Sequence, residues 1–300
     1  MVLGFDSVDD YRRHANCYIG ATIGRTAGRI PGGRFSSAGV TFPVAANEGR
    51  NHLHGGPSRS FDRVLWSRSD TSPEPVQDDS VSFEYRSPEG EEGYPGNLSA
   101  RVRYSLSDAN ELSILFTARA DADTPVNMTN HAYWNMDGDG TRPVTDQQLM
   151  VDADYILATD WELIPTGSHL PVAGSAFDFR ELRRIGAFLP KSGTEPWPGI
   201  DNTFLFNPGR DNAKPAAVLY SPETGRMMEL YTTEFCLQVY TANRLPRLAG
   251  RGGTAYGPGS GICLEPQKIT DSSRFPDFPS VVLPAGTEYR HLSRYRFSTA

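Results

Sequence analysis

The sequence contains only three cysteines in 300 residues, Cys17, Cys236 and Cys263. Their number is odd, they lie far apart, and no two of them have the CxxC spacing that is typical of zinc and redox sites. We therefore expect neither a disulfide framework nor a zinc knuckle, and this cysteine usage favours a reducing compartment.

Long apolar runs are also missing. A membrane-spanning helix needs roughly 18 or more consecutive apolar residues, and the sequence has no such stretch. The first ten residues, MVLGFDSVDD, lack the basic and apolar regions of a signal peptide. We predict a cytoplasmic protein that does not bind a membrane.

Positive charge is not in excess, because 29 Lys and Arg residues stand against 36 Asp and Glu residues, for a net charge of -7. This balance provides no overall cationic field for nucleic acid or anionic lipid. Hydrophobic residues make up 38% of the chain, which is ordinary for a globular protein. All-β proteins often reach this length as one unit, so one domain spanning residues 1–300 is the prediction.

Several common catalytic motifs are absent as well. The sequence has no P-loop, no GxGxxG after a strand, no GxSxG elbow and no HExxH. These absences argue against nucleotide-driven transfer, serine hydrolysis and zincin chemistry.

What the sequence does contain is alternation of apolar and polar residues with a period of two. The alternation covers residues 97–119 and is interrupted by the turn residues Asp108-Ala109-Asn110, which predicts an antiparallel hairpin. A helix is predicted only over residues 177–185. Further β-rich runs, each bounded by Gly, Pro, Asp or Ser, occupy residues 81–85, 227–232, 236–241, 262–265 and 289–297. The predicted fold is mainly β, a large antiparallel sandwich or barrel.

Four segments combine ionisable side chains with aromatic residues or glycines. They are residues 51–56, 130–135, 199–202 and 263–267. Aromatic rings beside hydrogen-bonding groups suit a sugar, because a sugar ring has apolar C–H patches rimmed by hydroxyls.

Each of these segments also has a structural interpretation. His131 is equally explained as a core histidine, and Asp201 as a turn residue. Glu265 follows an apolar run, so its carboxylate is costly unless it is functional or paired with an arginine. His52 and His54 would share one face of a strand, which would permit a metal site together with His131 and Glu265.

Taken in order, the segments resemble the aldose 1-epimerase (galactose mutarotase) family over nearly the whole chain. Residues 20–30, GATIGRTAGRI, look like the family's GATIGRxANRI. The other matching segments are NHLHGG at 51–56, NHAYWN at 130–135, IPTG at 164–167, FDFR at 177–180, GID at 199–201, QVYTAN at 238–243 and LEPQ at 264–267.

The resemblance implies a galactose mutarotase-like supersandwich that interconverts the α and β anomers of a free hexose, galactose or glucose. It implies that His131 protonates the ring oxygen while Glu265 takes the proton of the anomeric hydroxyl. The ring opens, the C1–C2 bond rotates, and reclosure with reversed roles gives the other anomer. Neither a metal nor an organic cofactor is required.

The resemblance also implies the residues that hold the sugar. They are Arg29, His54, Asp201 and Gln238, which contact hydroxyls, and Tyr133, which packs near the ring. His52 falls where the family also accepts Gln and is left out of the set. An ionised Glu and a protonated His coexist between their reference pKa values of roughly 4.3 and 6.5, and a nearby carboxylate raises the His value, so we expect a bell-shaped pH profile.

The chain departs from the family pattern at a few positions. Gly28 replaces an Asn, Asn202 replaces a His, and Trp134 replaces a Phe. The resemblance begins near residue 1, so we expect the family's first strands to be absent.

Three alternatives stay open. A hexose-6-phosphate 1-epimerase would need convergent cationic side chains, for which Arg25, Arg29 and Arg34 are available. A non-catalytic carbohydrate-binding module would not need the acid and base. The third is the His and Glu metalloenzyme described above.

Overall fold

The computed structural model describes residues 1–37, 39–69, 79–187, 199–275 and 277–300. One α-helix, α1 (Val8–Arg13), begins after Ser7, whose hydroxyl accepts a hydrogen bond from the backbone N–H of Asp10 at 3.2 Å. Within the described ranges, no helix is long and apolar enough to cross a bilayer. The three cysteines are free and buried.

The described ranges contain 25 strands. In chain order they are β1 (Ala21–Ile23), β2 (Arg29–Ile30), β3 (Arg34–Ser37), β4 (Val40–Pro43), β5 (His52–Leu53), β6 (Ser67–Ser69), β7 (Asp79–Ser87), β8 (Leu98–Leu106), β9 (Glu111–Ala120), β10 (Thr124–Pro125), β11 (Thr129–His131), β12 (Tyr133–Trp134), β13 (Gln148–Val151), β14 (Tyr155–Thr159), β15 (Pro165–Pro171), β16 (Arg183–Arg184), β17 (Asp201–Leu205), β18 (Ala217–Tyr220), β19 (Arg226–Thr232), β20 (Cys236–Tyr240), β21 (Leu248–Ala249), β22 (Ala255–Tyr256), β23 (Ile262–Gln267), β24 (Val282–Leu283) and β25 (Glu288–Thr299). Short 3₁₀ turns cover Ala15–Cys17, Pro31–Gly33, Glu91–Gly93, Val144–Asp146, Ile185–Ala187, Arg251–Gly253 and Ser272–Arg274.

Two large antiparallel sheets dominate these ranges. The larger has nine strands in the order β16-β13-β18-β19-β25-β9-β8-β7-β6, and the smaller has six in the order β12-β23-β20-β17-β14-β15. The predicted hairpin is confirmed, because β8 and β9 pair from Leu98 opposite Ala120 to Leu106 opposite Leu112. The predicted mainly-β sandwich is therefore confirmed.

The main hydrophobic core lies between the two sheets. Val102 and Phe116 project into it from the nine-stranded sheet, and Phe204, Val239 and Leu264 project from the six-stranded sheet. Because successive side chains of a strand point to opposite faces, the neighbours of the last three residues face away from the core. Fully burying each large apolar side chain contributes roughly 1.5–3 kcal/mol, which fixes the strand registers.

The predicted helix at residues 177–185 is wrong. Residues 177–182 form turns, β16 then pairs with β13, and a 3₁₀ turn follows. The Asp178 carboxylate accepts from the Gly174 backbone N–H at 3.0 Å and from the Arg180 guanidinium, while Arg183 donates to the Asp178 backbone carbonyl at 3.0 Å. These local bonds compete with helical hydrogen bonding. The glycine- and proline-containing segment at residues 190–199 lies mostly outside the described residues.

Candidate active site

A cavity of about 200 Å³ opens on the outer face of the six-stranded sheet. It is lined by every residue that the sequence predicted for the site, namely Arg29, His54, His131, Tyr133, Asp201, Gln238 and Glu265. Strands β17, β20 and β23 of this sheet contribute alternate residues to the cavity. The residues between them, Phe204, Val239 and Leu264, face the core on the opposite side.

His131 and Glu265 form a buried pair in this cavity. His131 ends β11 and is 4% exposed, whereas Glu265 lies within β23 and is 2% exposed. The distance from His131 Nε2 to Glu265 Oε1 is 3.8 Å, too long for a direct hydrogen bond. Glu265 Oε2 is buried and has no hydrogen-bond partner among the described residues. A carboxylate is expensive to bury in this way without a functional reason.

Burial shifts both pKa values toward the neutral forms of the two groups. It raises the pKa of Glu265 well above its usual value, and the nearby Asp201 carboxylate acts in the same direction. It also lowers the pKa of His131 to about 4. The sequence prediction of a raised His131 pKa is therefore wrong, because desolvation is the largest cause acting on this group. A single proton shared by the pair is thus more stable on Glu265 than on His131.

Cys263 contacts the other ring nitrogen of His131. Its Sγ lies 3.4 Å from His131 Nδ1, two positions before Glu265 on the same strand face. Burial raises the pKa of the Cys263 thiol well above its usual value, so the thiol stays protonated beside Nδ1. The other ring nitrogen, Nε2, faces Glu265.

Among the described residues, these same three side chains have a spacing that would fit a metal ion. One ligand atom each of His131, Cys263 and Glu265 lies within 4.8 Å of the others. A thiol must lose its proton to bind a metal, and the raised Cys263 pKa opposes this loss. Binding a metal at this set would therefore require removal of the thiol proton.

His54 faces the cavity with a fixed tautomer. The backbone N–H of Gly28 donates to His54 Nδ1 at 3.2 Å, so the ring proton lies on Nε2. Burial lowers the pKa of His54 well below its usual value, which keeps the ring neutral. His54 has a φ of 52°, so the strand ends before it.

His52 points elsewhere, which contradicts the expectation that both histidines share one strand face. Its Nδ1 lies 2.6 Å from the Ala45 carbonyl oxygen, and its Nε2 lies 2.6 Å from the Tyr94 hydroxyl. Both ring nitrogens are therefore occupied by other partners. The four-residue metal site that includes His52 is not formed.

Asp201 and Gln238 are linked across neighbouring strands. Gln238 Nε2 donates to Asp201 Oδ1 at 2.7 Å, and Thr203 Oγ1 donates to Gln238 Oε1 at 2.6 Å. This chain fixes the orientation of the Gln238 amide. Burial raises the pKa of Asp201, while the Arg29 guanidinium opposes the shift.

Arg29 pairs with Glu48, a residue that the sequence analysis missed. Glu48 accepts from Arg29 Nε at 2.5 Å and from Nη2 at 2.7 Å, and both residues line the cavity. Arg25 is instead buried at 2% exposure and donates to the Ser87 carbonyl oxygen, and Arg34 lies on an exposed strand position. The three arginines therefore do not converge on one anion.

Tyr133 and Trp134 face opposite sides of β12. The Tyr133 ring centroid lies 5.1 Å from that of His131, and its hydroxyl donates to the Cys17 carbonyl oxygen at 2.9 Å. Trp134 packs in the core, with its ring centroid 5.2 Å from that of Tyr295. The Trp134 departure from the family pattern is therefore a core change, away from the cavity.

The other two departures from the family pattern, Asn202 and Gly28, differ in their relation to the cavity. Asn202 alternates with Asp201 and Thr203 on β17 and does not line the cavity. Gly28 lines the cavity with a φ of +81°, and a Cβ atom built on it would lie 2.4 Å from Thr270 Oγ1. The missing side chain at position 28 is thus the one that changes the cavity.

Known proteins resemble this chain along its whole length. The family model described as aldose 1-epimerase matches residues 1–296. A galactose mutarotase from Bos taurus is 40% identical over 301 residues, which cover 100% of this chain and 84% of the relative. An aldose 1-epimerase from Escherichia coli (strain K12) is 36% identical over 299 residues, covering 99% of this chain and 84% of that protein. The solved structure of an aldose epimerase homologue from C. elegans has a TM-score of 0.88 at 30% identity, covering 100% of this chain and 88% of that one.

Proposed function

Because the chain belongs to the aldose 1-epimerase family and is therefore an isomerase, we propose that it interconverts the α and β anomers of a free hexose, galactose or glucose, through His131 and Glu265. The observation that carries this proposal is the buried pair itself. His131 Nε2 and Glu265 Oε1 lie 3.8 Å apart in the cavity, and Glu265 Oε2 has no partner among the described residues. An acid and a base held together in this way suit a reaction that needs both at once.

Ring opening begins from the less stable form of the pair, in which the shared proton lies on His131 and Glu265 is the carboxylate. His131 Nε2 gives its proton to the ring oxygen while Glu265 takes the proton of the anomeric hydroxyl. The bond between C1 and the ring oxygen breaks, and a carbonyl forms at C1. Rotation about C1–C2 exposes the other carbonyl face, and the two residues then reverse their roles.

The net effect of ring opening is the transfer of one proton from His131 to Glu265 through the sugar. The open-chain stage therefore coincides with the neutral pair, the state that burial favours. A low pKa also makes the His131 imidazolium a strong acid toward the weakly basic ring oxygen. Each correctly placed acid or base contributes typically about 10²- to 10⁴-fold.

The remaining predicted residues hold the sugar in this proposal. Arg29 donates from Nη1 to a sugar hydroxyl, since its Nε and Nη2 donate to Glu48. His54 donates from Nε2, and the linked Asp201 and Gln238 side chains bind hydroxyls. Tyr133 packs near the ring without using its own hydroxyl.

The alternatives are less well supported. A phosphorylated sugar would require a cationic cluster, and Arg25 and Arg34 lie away from the cavity. A purely binding module would not need a desolvated carboxylate beside an imidazole. A cytoplasmic location, one domain over residues 1–300 and the absence of a metal or organic cofactor are parts of the same proposal.

The test is polarimetry of freshly dissolved α-D-galactose and α-D-glucose with chelator present. We expect the wild type to accelerate the approach to equilibrium rotation, and Glu265→Gln and His131→Asn each to lower kcat by about 10²-fold or more. The chain offers a matched control in Glu234 and His291, a second buried pair 3.8 Å apart that does not line the cavity. Glu234→Gln and His291→Asn should retain wild-type rates. A wild type that matches the spontaneous rate on both sugars would refute the proposal.

A further inference from the structure

Gln267 is the last residue of β23 and lies two positions after Glu265 on the same strand face. It lines the cavity and is only 5% exposed. Its side-chain Oε1 is buried and has no hydrogen-bond partner in the ranges that the structure describes. The backbone carbonyl of Gln267 is occupied, since it accepts from Cys236 Sγ at 2.8 Å. The side-chain oxygen is thus the atom of Gln267 that lacks a partner among the described residues.

Gly28 lies beside this amide. A Cβ atom built at position 28 would lie 3.7 Å from Gln267 Nε2 and 2.4 Å from Thr270 Oγ1. A side chain there would therefore collide with Thr270 unless Thr270 moved, whereas the family pattern has an Asn at this position. Because this chain has glycine, the Gln267 amide borders the cavity directly.

An unpaired buried acceptor costs about 1–3 kcal/mol, so an amide kept in this position needs a partner. A sugar hydroxyl can supply one, because it both donates and accepts hydrogen bonds. Residues two apart on a strand are about 6.5 Å apart, a distance that one sugar ring with its hydroxyls can bridge. A sugar whose anomeric hydroxyl lies at Glu265 would therefore bring another hydroxyl to Gln267.

We propose that Gln267 is a further sugar-binding residue, whose unpaired side-chain oxygen accepts a hydrogen bond from a hydroxyl of the hexose in the cavity near Gly28. This inference rests on the proposed function, since it assumes a hexose in the cavity. It assigns part of the hydroxyl selectivity to Gln267, which lies near Gly28, where the chain departs from the family pattern.

The test compares wild type with Gln267→Leu on D-galactose, D-glucose and their 2-, 3-, 4- and 6-deoxy analogues. Polarimetry gives kcat and KM, and titration calorimetry gives Kd for each sugar. A neutral hydrogen bond contributes about 0.5–1.5 kcal/mol, so the variant should raise KM and Kd for the parent sugar by roughly 2- to 10-fold, with kcat nearly unchanged. For one deoxy analogue, wild type and variant should have equal Kd values.

Gln148→Leu is the matched control, because Gln148 lies on β13 in the nine-stranded sheet and does not line the cavity. It should leave every KM and Kd unchanged. If Gln267→Leu does not fold, Gln267→Met serves instead, since its flexible side chain fills a similar volume.

The outcomes separate the two proposals. Unchanged Kd values in a folded variant, or an equal loss on every deoxy analogue, would overturn the role of Gln267. A wild type that binds the sugars without accelerating mutarotation overturns the proposed function, while the Kd comparison still decides on Gln267. A wild type that binds none of the sugars overturns both.

Discussion

At the residue scale, desolvation controls the chemistry of the site. His131 and Glu265 are both almost fully buried, and burial lowers the pKa of His131 to about 4 and raises that of Glu265 well above its usual value. The two shifts have the same cause, because a low-dielectric surrounding disfavours either charge. The pair therefore holds one proton over a wide pH range.

This titration predicts the pH dependence of catalysis. The active pair carries one proton, so kcat/KM should fall below about pH 4, where a second proton binds, and again at a pH well above the usual glutamate range. Polarimetric rates on α-D-galactose between pH 3.5 and 9, with circular dichroism at each pH to verify folding, measure both limbs. An active range confined to roughly pH 4.3–6.5, as reference values imply, would contradict the predicted shifts.

At the element scale, one strand supplies much of the site. Cys263, Glu265 and Gln267 share a face of β23, while Ile262 and Leu264 anchor the other face in the core. Because side chains alternate along a strand, burial of the apolar residues also determines the direction of the polar ones.

The segment that follows β1 is held to the end of β7 by Arg25. Its guanidinium donates to Ser87 Oγ at 2.9 Å, to the Ser87 and Pro88 carbonyl oxygens at 2.9 Å each, and to the Pro95 carbonyl oxygen at 3.0 Å. The side chain is fully buried, so these bonds replace its hydration.

Replacing Arg25 by lysine should therefore destabilise the fold strongly. A single ammonium group cannot reach acceptors arranged around a planar fork, and we expect the free energy of unfolding to fall by about 3 kcal/mol or more. Urea denaturation followed by circular dichroism measures the change. The control is Arg12→Lys, at a side chain that is 71% exposed, which should cost under about 0.5 kcal/mol. A loss below about 1 kcal/mol for Arg25→Lys would show that the fork geometry is unimportant.

At the scale of the whole molecule, the interior contains a second ionisable pair. Glu234 is buried, and His291 Nδ1 lies 3.8 Å from Glu234 Oε1 and 3.0 Å from the Met128 carbonyl oxygen. Burial raises the pKa of Glu234 from 4.5 to about 7 and lowers the pKa of His291 to about 4. Both groups are therefore neutral in mildly acidic solution, and raising the pH removes the proton of Glu234.

Global stability should depend on pH through Glu234. The unfolded chain loses the Glu234 proton above about pH 4.5, whereas the folded chain keeps it up to about pH 7, so the stability contributed by this group is lost between these values. Glu234→Gln removes the effect, and its free energy of unfolding relative to wild type should rise by about 3 kcal/mol from pH 4.5 to pH 8. Urea titrations at several pH values test this, with the exposed Glu223→Gln as control. A difference that does not vary with pH would contradict the shift.

The sequence alone was enough to predict the mainly β fold, one of its hairpins and seven residues of the candidate site. Alternation of apolar and polar residues indicated β8 and β9 correctly, because a strand with one buried face requires this period. The resemblance of short segments indicated seven residues that now line one cavity. Both predictions depend on the order of residues within short segments, which the sequence contains.

How those residues are paired and charged depends on the tertiary structure. Two contacts, between Arg29 and Glu48 and between Cys263 and His131, join segments whose order in the sequence does not predict that they meet. The unpaired side-chain oxygen of Gln267 likewise results from the packing around it. Solvent exclusion across the assembled sheet also reversed the expected pKa shift of His131. Burial is a property of the packed molecule, so no local pattern of residues determines it.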